Sequence, residues 1–356
     1  MKPIKKLPKP INMTDLLLHS DNIKGLNYLL DNGYSSTIDL CYIDPPYNTG
    51  RTFRIDKETG KTRTISNTND DLIAYDDKFT FDEYLEFIKE RIKLIHQLLS
   101  DNGSLYLHCD YNYSHYLKII CDDVFGRENF KKDITRIKSN PKNSLYRNYG
   151  SVKDCILYYT KTDDYIWNKP LIPYTKEEIK QKFTKHDKKG YYNTCSLTAP
   201  GEVQNGATGT PYWNGVKLPK GRHWCRPPNE LDKLNEEGLI EWSSRGNPRR
   251  KIYAHKSNGK HLQDVWYNFK DKPRPSYPTQ KNKELLNRII RTSSNEGSIV
   301  LDCFMGSGTT LKEAYKLNRE WIGIDSSDYA IELFEKEYDD LPQKLTHNKT
   351  YEKIVL

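Results

Sequence analysis

Residues 300–310 read VLDCFMGSGTT. The apolar run SIVLD at 298–302 is short, is rich in β-branched residues and ends on an acid, so it reads as a buried strand. Gly306 and Gly308 follow almost at once, which permits a tight turn and close backbone approach to a ligand. A helix is expected from about Thr309, with its N-terminus facing that turn. No lysine follows the last glycine, so this is not a P-loop, and the spacing is not G-x-G-x-x-G. WIGID at 321–325 reads as the next strand, and Asp325 ends it 23 residues after Asp302. An acid at that place accepts hydrogen bonds from ribose hydroxyls. The pattern predicts a nucleoside-bearing cofactor at the carboxyl ends of two neighbouring strands. A glycine turn with no ligand is the plain alternative.

Moving outward, helices are expected at 282–293, 309–317 and 327–338 around these strands. The same alternation recurs at the other end of the chain. TIDLCYI at 37–43 reads as a buried strand running into DPPYNTG at 44–50. Residues 51–79 are polar and read as an irregular loop, functional or mobile by its length. Thr80 and Glu83 form a capping box, and Leu85, Ile88, Ile92, Ile95 and Leu99 recur at helical spacing. Asn102-Gly103 is expected to end that helix, with a strand at 104–108, a helix at 113–125 and a strand at 155–160. Alternation at both ends implies one α/β sheet built from both termini. Regularity fades over 162–280, which holds five of the six tryptophans and reads as an inserted domain.

Composition narrows the function. A chain of 356 residues suggests two domains, or one with a large insertion. There is no apolar run long enough to span a membrane and no secretory leader in MKPIKKLPKP. Seven scattered cysteines without a CxxC fit a reducing cytoplasm and predict no metal site. The net charge of +8 is uneven: residues 1–126 carry −4, residues 127–290 carry +16 and residues 291–356 carry −4. A basic block between acidic flanks suggests a polyanion-binding insertion, though a solvated lysine-rich surface explains it equally well.

Asp44-Pro45-Pro46-Tyr47 sits just past a strand. Two prolines stiffen the backbone and donate nothing, leaving carbonyls as acceptors. Asp44 adds a carboxylate and Tyr47 a flat face. Two acceptors beside an aromatic face suit an exocyclic amine on a planar base. Taken alone, an ordinary proline turn is the simpler reading.

Together, DPPYNTG and VLDCFMGSGTT resemble the S-adenosylmethionine-dependent amino-methyltransferases of DNA, adenine-specific and of restriction-modification systems. The catalytic motif precedes the cofactor motif with a long insertion between, which is similar to the β group, whose target-recognition domain lies there. HSDNIKGLNYLL (19–30), SLYLHCD (104–110), VFGRENF (124–130) and YPTQKNKELLNRII (277–290) add to the resemblance. It implies a Rossmann-like methyltransferase sheet with helices on both faces, formed by 12–160 and 262–340. It also implies a target-recognition, DNA-binding insertion at 161–261. The NTG extension resembles type III modification subunits, while the length is closer to a compact type II or solitary enzyme. Cys303 and Met305 replace a common proline and alanine, and Asn282 follows Lys281 where a proline is common.

The resemblance implies N6-methylation of a flipped adenine in double-stranded DNA, with Asp44, Pro45, Pro46 and Tyr47 as the catalytic motif. Asp44 and the Pro45 carbonyl would accept the amine's two N–H bonds, and Tyr47 would stack on the base. For the cofactor it implies Asp302, Phe304, Gly306, Gly308, Thr309 and Asp325, with Thr279, Gln280 and Lys281 at the methionine end and Asp21 and Asn22 at the adenine end. For DNA the expected residues are Arg136 and Lys138 beside the active-site face. Arg245, Arg249, Arg250 and Lys251 join them, with NPRRK (247–251) read as an exposed turn. A homodimer and a cognate restriction endonuclease are possible partners. N4 of cytosine, an RNA substrate and a non-catalytic DNA-binding protein remain competing readings.

Overall fold

The computed structural model describes residues 15–48, 78–140, 149–201, 212–267, 269–271, 280–344 and 349–356, and the backbone of 51–55, 62–63 and 72–77. The chain divides into two compact units, 1–170 with 263–356, and 171–262. The expected insertion began at 161. Residues 161–170 instead belong to the first unit, where Lys161 donates to the Leu99 carbonyl at 2.6 Å and Asn168 to the Ser294 carbonyl at 2.9 Å.

The first unit is built on a nine-stranded sheet. Its strands are β1 (Asp15–His19), β2 (Ile38–Ile43), β3 (Leu99–Cys109), β4 (Phe130–Ile137), β5 (Lys153–Thr160), β6 (Val265–Trp266), β7 (Ile299–Asp302), β8 (Glu320–Asp325) and β9 (Tyr351–Val355). They lie in the order β6-β4-β5-β3-β2-β7-β8-β1-β9, and β5 alone runs against its neighbours. The strand order reverses between β2 and β7, one from each end of the chain. Such a switch point opens a crevice at the carboxyl ends of the strands.

Strand side chains alternate between faces, and here both faces are apolar, so both must be covered. Leu16, Leu18, Cys41, Ile43, Leu105, Leu107, Leu301 and Ile322 pack into one core with Leu26, Leu29, Ile88, Ile92, Ile95 and Leu117. Those partners come from α1 (Asn22–Asp31), α2 (Phe81–Leu98) and α3 (Ser114–Phe125). The intervening strand residues face the other way. Tyr106 bonds Ser293 at 2.8 Å and Trp321 meets Phe334 edge to face, so α4 (Lys283–Ser293), α5 (Thr309–Lys316) and α6 (Asp328–Asp339) lie on the second face.

The capping box forms: the Thr80 amide donates to Glu83 at 2.8 Å and the Glu83 amide to Thr80. The stop differs from the expectation. Helix α2 ends at Leu98, and Asn102-Gly103 lies inside β3. Gly103 serves a close approach, since a Cβ there would meet the Ile38 carbonyl oxygen at 2.8 Å. The expected irregular loop contains an antiparallel three-stranded sheet of Arg51–Ile55, Thr62–Arg63 and Leu72–Asp77.

In the second unit, Gly190–Ser196 and Pro248–Tyr253 form the middle of a four-stranded antiparallel sheet, flanked by Lys185–Asp187 and Ile240–Trp242. Leu197, Trp213, Trp224, Leu231 and Ile240 make its small core.

Candidate active site

Strands β2 and β7 pair in parallel, Leu40 beside Val300 and Cys41 beside Leu301. Both then break at the same edge, one into Asp44-Pro45-Pro46-Tyr47 and the other into the glycine turn. Strand β8 brings Asp325 to that edge through the pairing of Asp302 with Gly323.

Asp44 is held on both oxygens. Its Oδ1 accepts the Tyr47 hydroxyl at 2.7 Å, and its Oδ2 pairs with the Lys281 ammonium at 2.6 Å. That ammonium also lies 5.0 Å from the Tyr47 ring centre. Burial, with the Asp44 charge beside it, pushes the Tyr47 phenol well above its ordinary value, so the hydroxyl stays a donor. The Pro46 carbonyl accepts the Tyr84 hydroxyl at 2.7 Å. Among the described residues no donor reaches the Pro45 carbonyl. Lys281, expected at the methionine end of the cofactor, has its charged end on Asp44.

Behind Asp44 lies a buried polar chain that sequence reasoning missed. His108 is fully buried on β3 with Nδ1 2.8 Å from the Tyr42 hydroxyl and 3.9 Å from Asp44. Its Nε2 lies 3.3 Å from Asp154. Burial, reinforced by the Lys281 charge, lowers the His108 imidazole below its ordinary value, so the ring is neutral near pH 7. Burial alone would raise Asp154, but its His108 hydrogen bond and the Lys138 ammonium hold it below the usual carboxylate range. Only the inward-facing alternation of SLYLH could have marked His108 in the sequence.

Arg136 belongs to this chain, and that overturns its expected contact with DNA. It is 0% exposed. Its guanidinium donates to the Phe269 carbonyl at 2.9 and 2.7 Å, to Asp154 at 3.3 Å and to Asp271. A buried cation with its donors committed this way cannot reach a phosphate. Lys138 bonds Asp154 at 2.7 Å, with its side chain about a third exposed.

In the glycine turn Gly306 and Gly308 have φ of 50° and 66°, the left-handed region that favours glycine. A Cβ on Gly308 would lie 2.2 Å from the Phe334 ring. The Gly306 amide donates to Asp325 Oδ2 and the Ser327 amide to Oδ1, both at 2.9 Å. Burial raises the Asp325 carboxyl. Asp302 accepts the Thr310 hydroxyl at 2.6 Å and the Phe304 amide at 3.0 Å. Burial, helped by the charges of Asp44 and Asp325, pushes its carboxyl up to about 7. Phe304 is half-buried against Phe87, and Thr309 bonds Ser307 at 3.2 Å.

Asp21 caps α1, accepting the Ile23 amide at 2.8 Å, and Arg91 lies 3.7 Å away. Asn22 accepts from Arg91 at 2.6 Å and donates to the Cys303 carbonyl at 3.3 Å, bracing the glycine turn. Cys303 and Met305 are buried, filling the places of the usual proline and alanine. Asn282 does the work of the missing proline by capping α4, with its side chain accepting the Glu284 amide at 2.8 Å. Gln280 lines a cavity with Lys281 and Thr309, while Thr279 lies outside the described residues.

NPRRK is not an exposed turn: residues 248–251 lie in the central strand Pro248–Tyr253. Lys251 is committed to Asp187 at 2.9 Å with its side chain largely buried, which removes it as a free phosphate contact. Arg249 is exposed but donates to Thr194 at 2.9 Å. Arg250 is half-buried, and Arg245 is exposed in the turn before the strand.

The sequence matches the DNA methylase family over residues 38–336. It is 40% identical over 324 residues to the type II methyltransferase M.EcaI of Enterobacter cloacae, covering 90% of this chain and 68% of that protein. It is 28% identical over 327 residues to the type II methyltransferase M.HpaI of Haemophilus parainfluenzae, covering 92% and 75%. The Mod subunit of the type III restriction-modification enzyme StyLTI of Salmonella typhimurium is 29% identical over 341 residues, covering 87% and 51%. The chain thus spans about half the length of that subunit.

Proposed function

We propose a specific reaction from one premise: the chain belongs to the DNA methylase family. The reaction is site-specific methylation of the N6 amine of adenine in duplex DNA, with S-adenosylmethionine as methyl donor. The observation that carries it is the meeting of Asp44-Pro45-Pro46-Tyr47 with the glycine turn at one switch point, through the pairing of β2 and β7.

The residues fit such a cofactor. The turn at Gly306 and Gly308 presents left-handed backbone without side chains. Asp325 supplies a partly exposed carboxylate for ribose hydroxyls and Phe304 an apolar wall, while Asp302, buried on Thr310 and the Phe304 amide, shapes the turn beside them. When bound, the cofactor supplies an electrophilic methyl on a sulfonium.

Adenine N6 is a poor nucleophile because its lone pair is delocalised into the ring. Asp44 and the Pro45 carbonyl accept its two N–H bonds and favour a tetrahedral nitrogen. The N6 lone pair would form the N–CH3 bond as the S–CH3 bond breaks, leaving S-adenosylhomocysteine; positive charge would develop on that nitrogen beside the Asp44 carboxylate, which stabilises it until a proton is lost to solvent. The rest of the acceleration is positioning. Inside a duplex the amine is out of reach, so the base flips out of the stack, and Tyr47 lies under it.

Target recognition falls to residues 171–262 in this reading. They hold 17 Lys/Arg against 9 Asp/Glu, a net +8 that equals the charge of the whole chain. Such a balance supports phosphate contacts. Arg245 and Arg249 are the exposed candidates. No described helix is long and apolar enough to cross a membrane. We assign the protein to the cytoplasm, where its DNA is, acting as the modification enzyme of a restriction-modification system beside a cognate endonuclease, and as a homodimer.

Labelled S-adenosylmethionine and unmethylated duplex DNA test the reading, with nucleoside analysis and sequencing of the product. N6-methyladenine at one recurring motif is the expected result. N4-methylcytosine would correct the base, and no transfer to DNA would overturn the function. Asp44→Ala should lower turnover by at least about 10²–10³-fold, with cofactor binding by calorimetry retained.

A further inference from the structure

The ion pair between Lys281 and Asp44 places a cation on the carboxylate that must receive the substrate amine. We propose that Lys281 is a substrate-mimicking positioning residue. Its ammonium occupies the target amine's seat on Asp44 and yields that seat when the flipped base enters. The inference rests on the adenine-methylation reading above.

The argument is one of acceptors and charge. Asp44 Oδ1 already accepts the Tyr47 hydroxyl and Oδ2 the ammonium, at 2.7 and 2.6 Å. The side chains of Lys281 and Asp44 are only 9% and 16% exposed, so little water can substitute for either partner. An amine N–H arriving at Oδ2 therefore competes with the ammonium for one oxygen. Methyl transfer then puts positive charge on the amine nitrogen. A second cation retained on the same carboxylate would oppose that charge, so the arrangement suits the free protein and works against the reaction. Departure of the ammonium removes both conflicts.

Lysine suits this role. It is a point charge on a flexible four-carbon stem, whereas arginine would grip the carboxylate with a rigid two-pronged fork. The side chain also has room to move: Lys281 lines a cavity of about 430 Å³ whose wall carries Glu284, Glu313, Glu337 and Asp340 alongside Lys283, Lys312 and Lys316. Before the base arrives, the ammonium keeps a poorly hydrated carboxylate satisfied.

The test uses the full chain and a duplex carrying the methylated motif, with 2-aminopurine beside the target adenine. Its fluorescence rises when that adenine leaves the stack. Lys281→Met keeps the apolar stem and removes the donor. The free protein then has a carboxylate short of a partner, so its thermal stability should fall. The base supplies the missing N–H, so the extrahelical population should rise on the order of tenfold. A merely structural lysine would lower both readouts. Lys281→Arg retains the cation, and its extrahelical population should be at or below wild type. Should Lys281→Met fail to fold, Lys281→Gln is neutral and carries the same expected direction. A folded Lys281→Met or Lys281→Gln protein with an extrahelical population no higher than wild type would overturn the proposal. Failure of the wild-type chain to methylate adenine would instead overturn the function on which it rests, and is read before any variant is compared.

Discussion

Asp302 shows how much one buried carboxyl can report. It is 2% exposed, and burial pushes it up to about 7. In the unfolded chain it titrates near about 4. Between those values the folded protein binds a proton that the unfolded chain has lost. Stability should therefore fall as pH rises from about 4 to about 7, the reverse of the usual paired-carboxylate slope. Asp302→Asn should remove that part of the slope, as chemical denaturation at a series of pH values would show. An unchanged slope would assign the effect to another group. The residues that make this site were only partly legible. Asp44, Tyr47 and the two glycines carry their chemistry in their local motif. His108, Asp154 and Arg136 do not, because their partners lie on different strands. Arg136 looked like a surface cation only because arginine usually is one.

At the scale of elements, two connections hold the site together. Arg136 on β4 ties the polar chain behind Asp44 to the Phe269 carbonyl. Arg136→Met should strand the Phe269 carbonyl while Asp154 keeps Lys138 and His108, costing about 1–3 kcal/mol as for an unmet buried acceptor, measured by urea unfolding. A loss below about 1 kcal/mol would show that neighbouring donors take its place. The second connection is the start of α5, where Gly308 passes under Phe334. Gly308→Ala brings a Cβ within 2.2 Å of that ring and a non-glycine residue to φ 66°. It should cost about 1–3 kcal/mol in strain and weaken cofactor binding by calorimetry. Intact binding would show that Phe334 swings aside at little cost. Element types were readable from periodicity, with helix α2 recognisable from its cap and apolar stripe. Its end was not, because Gly103 is required by contact with the neighbouring strand, which looks the same in sequence as a helix stop.

For the whole molecule, charge is the quantity to test. If residues 171–262 grip phosphates, DNA affinity should fall steeply with added salt, and Arg245→Gln with Arg249→Gln should flatten the log–log slope by about one unit per lost phosphate contact. Filter binding over a salt series measures it, and an unchanged slope would move the phosphate contacts elsewhere. The expected α/β sheet assembled from both ends of the chain agrees with the nine-stranded sheet, since alternating strands and helices with apolar runs admit few other packings. By itself, then, the sequence determined the sheet's class, the two motif loops that meet at the switch point and the family they resemble. Each of these is written in short-range pattern: strand periodicity, glycine spacing and proline stiffness. Only the tertiary structure decided which charges are buried, what Asp44 touches, and where the charged ends of Lys281 and Arg136 lie. Those facts depend on contacts between residues far apart in the chain, and a single sequence records the charge of a residue but not the partner that folding brings to it.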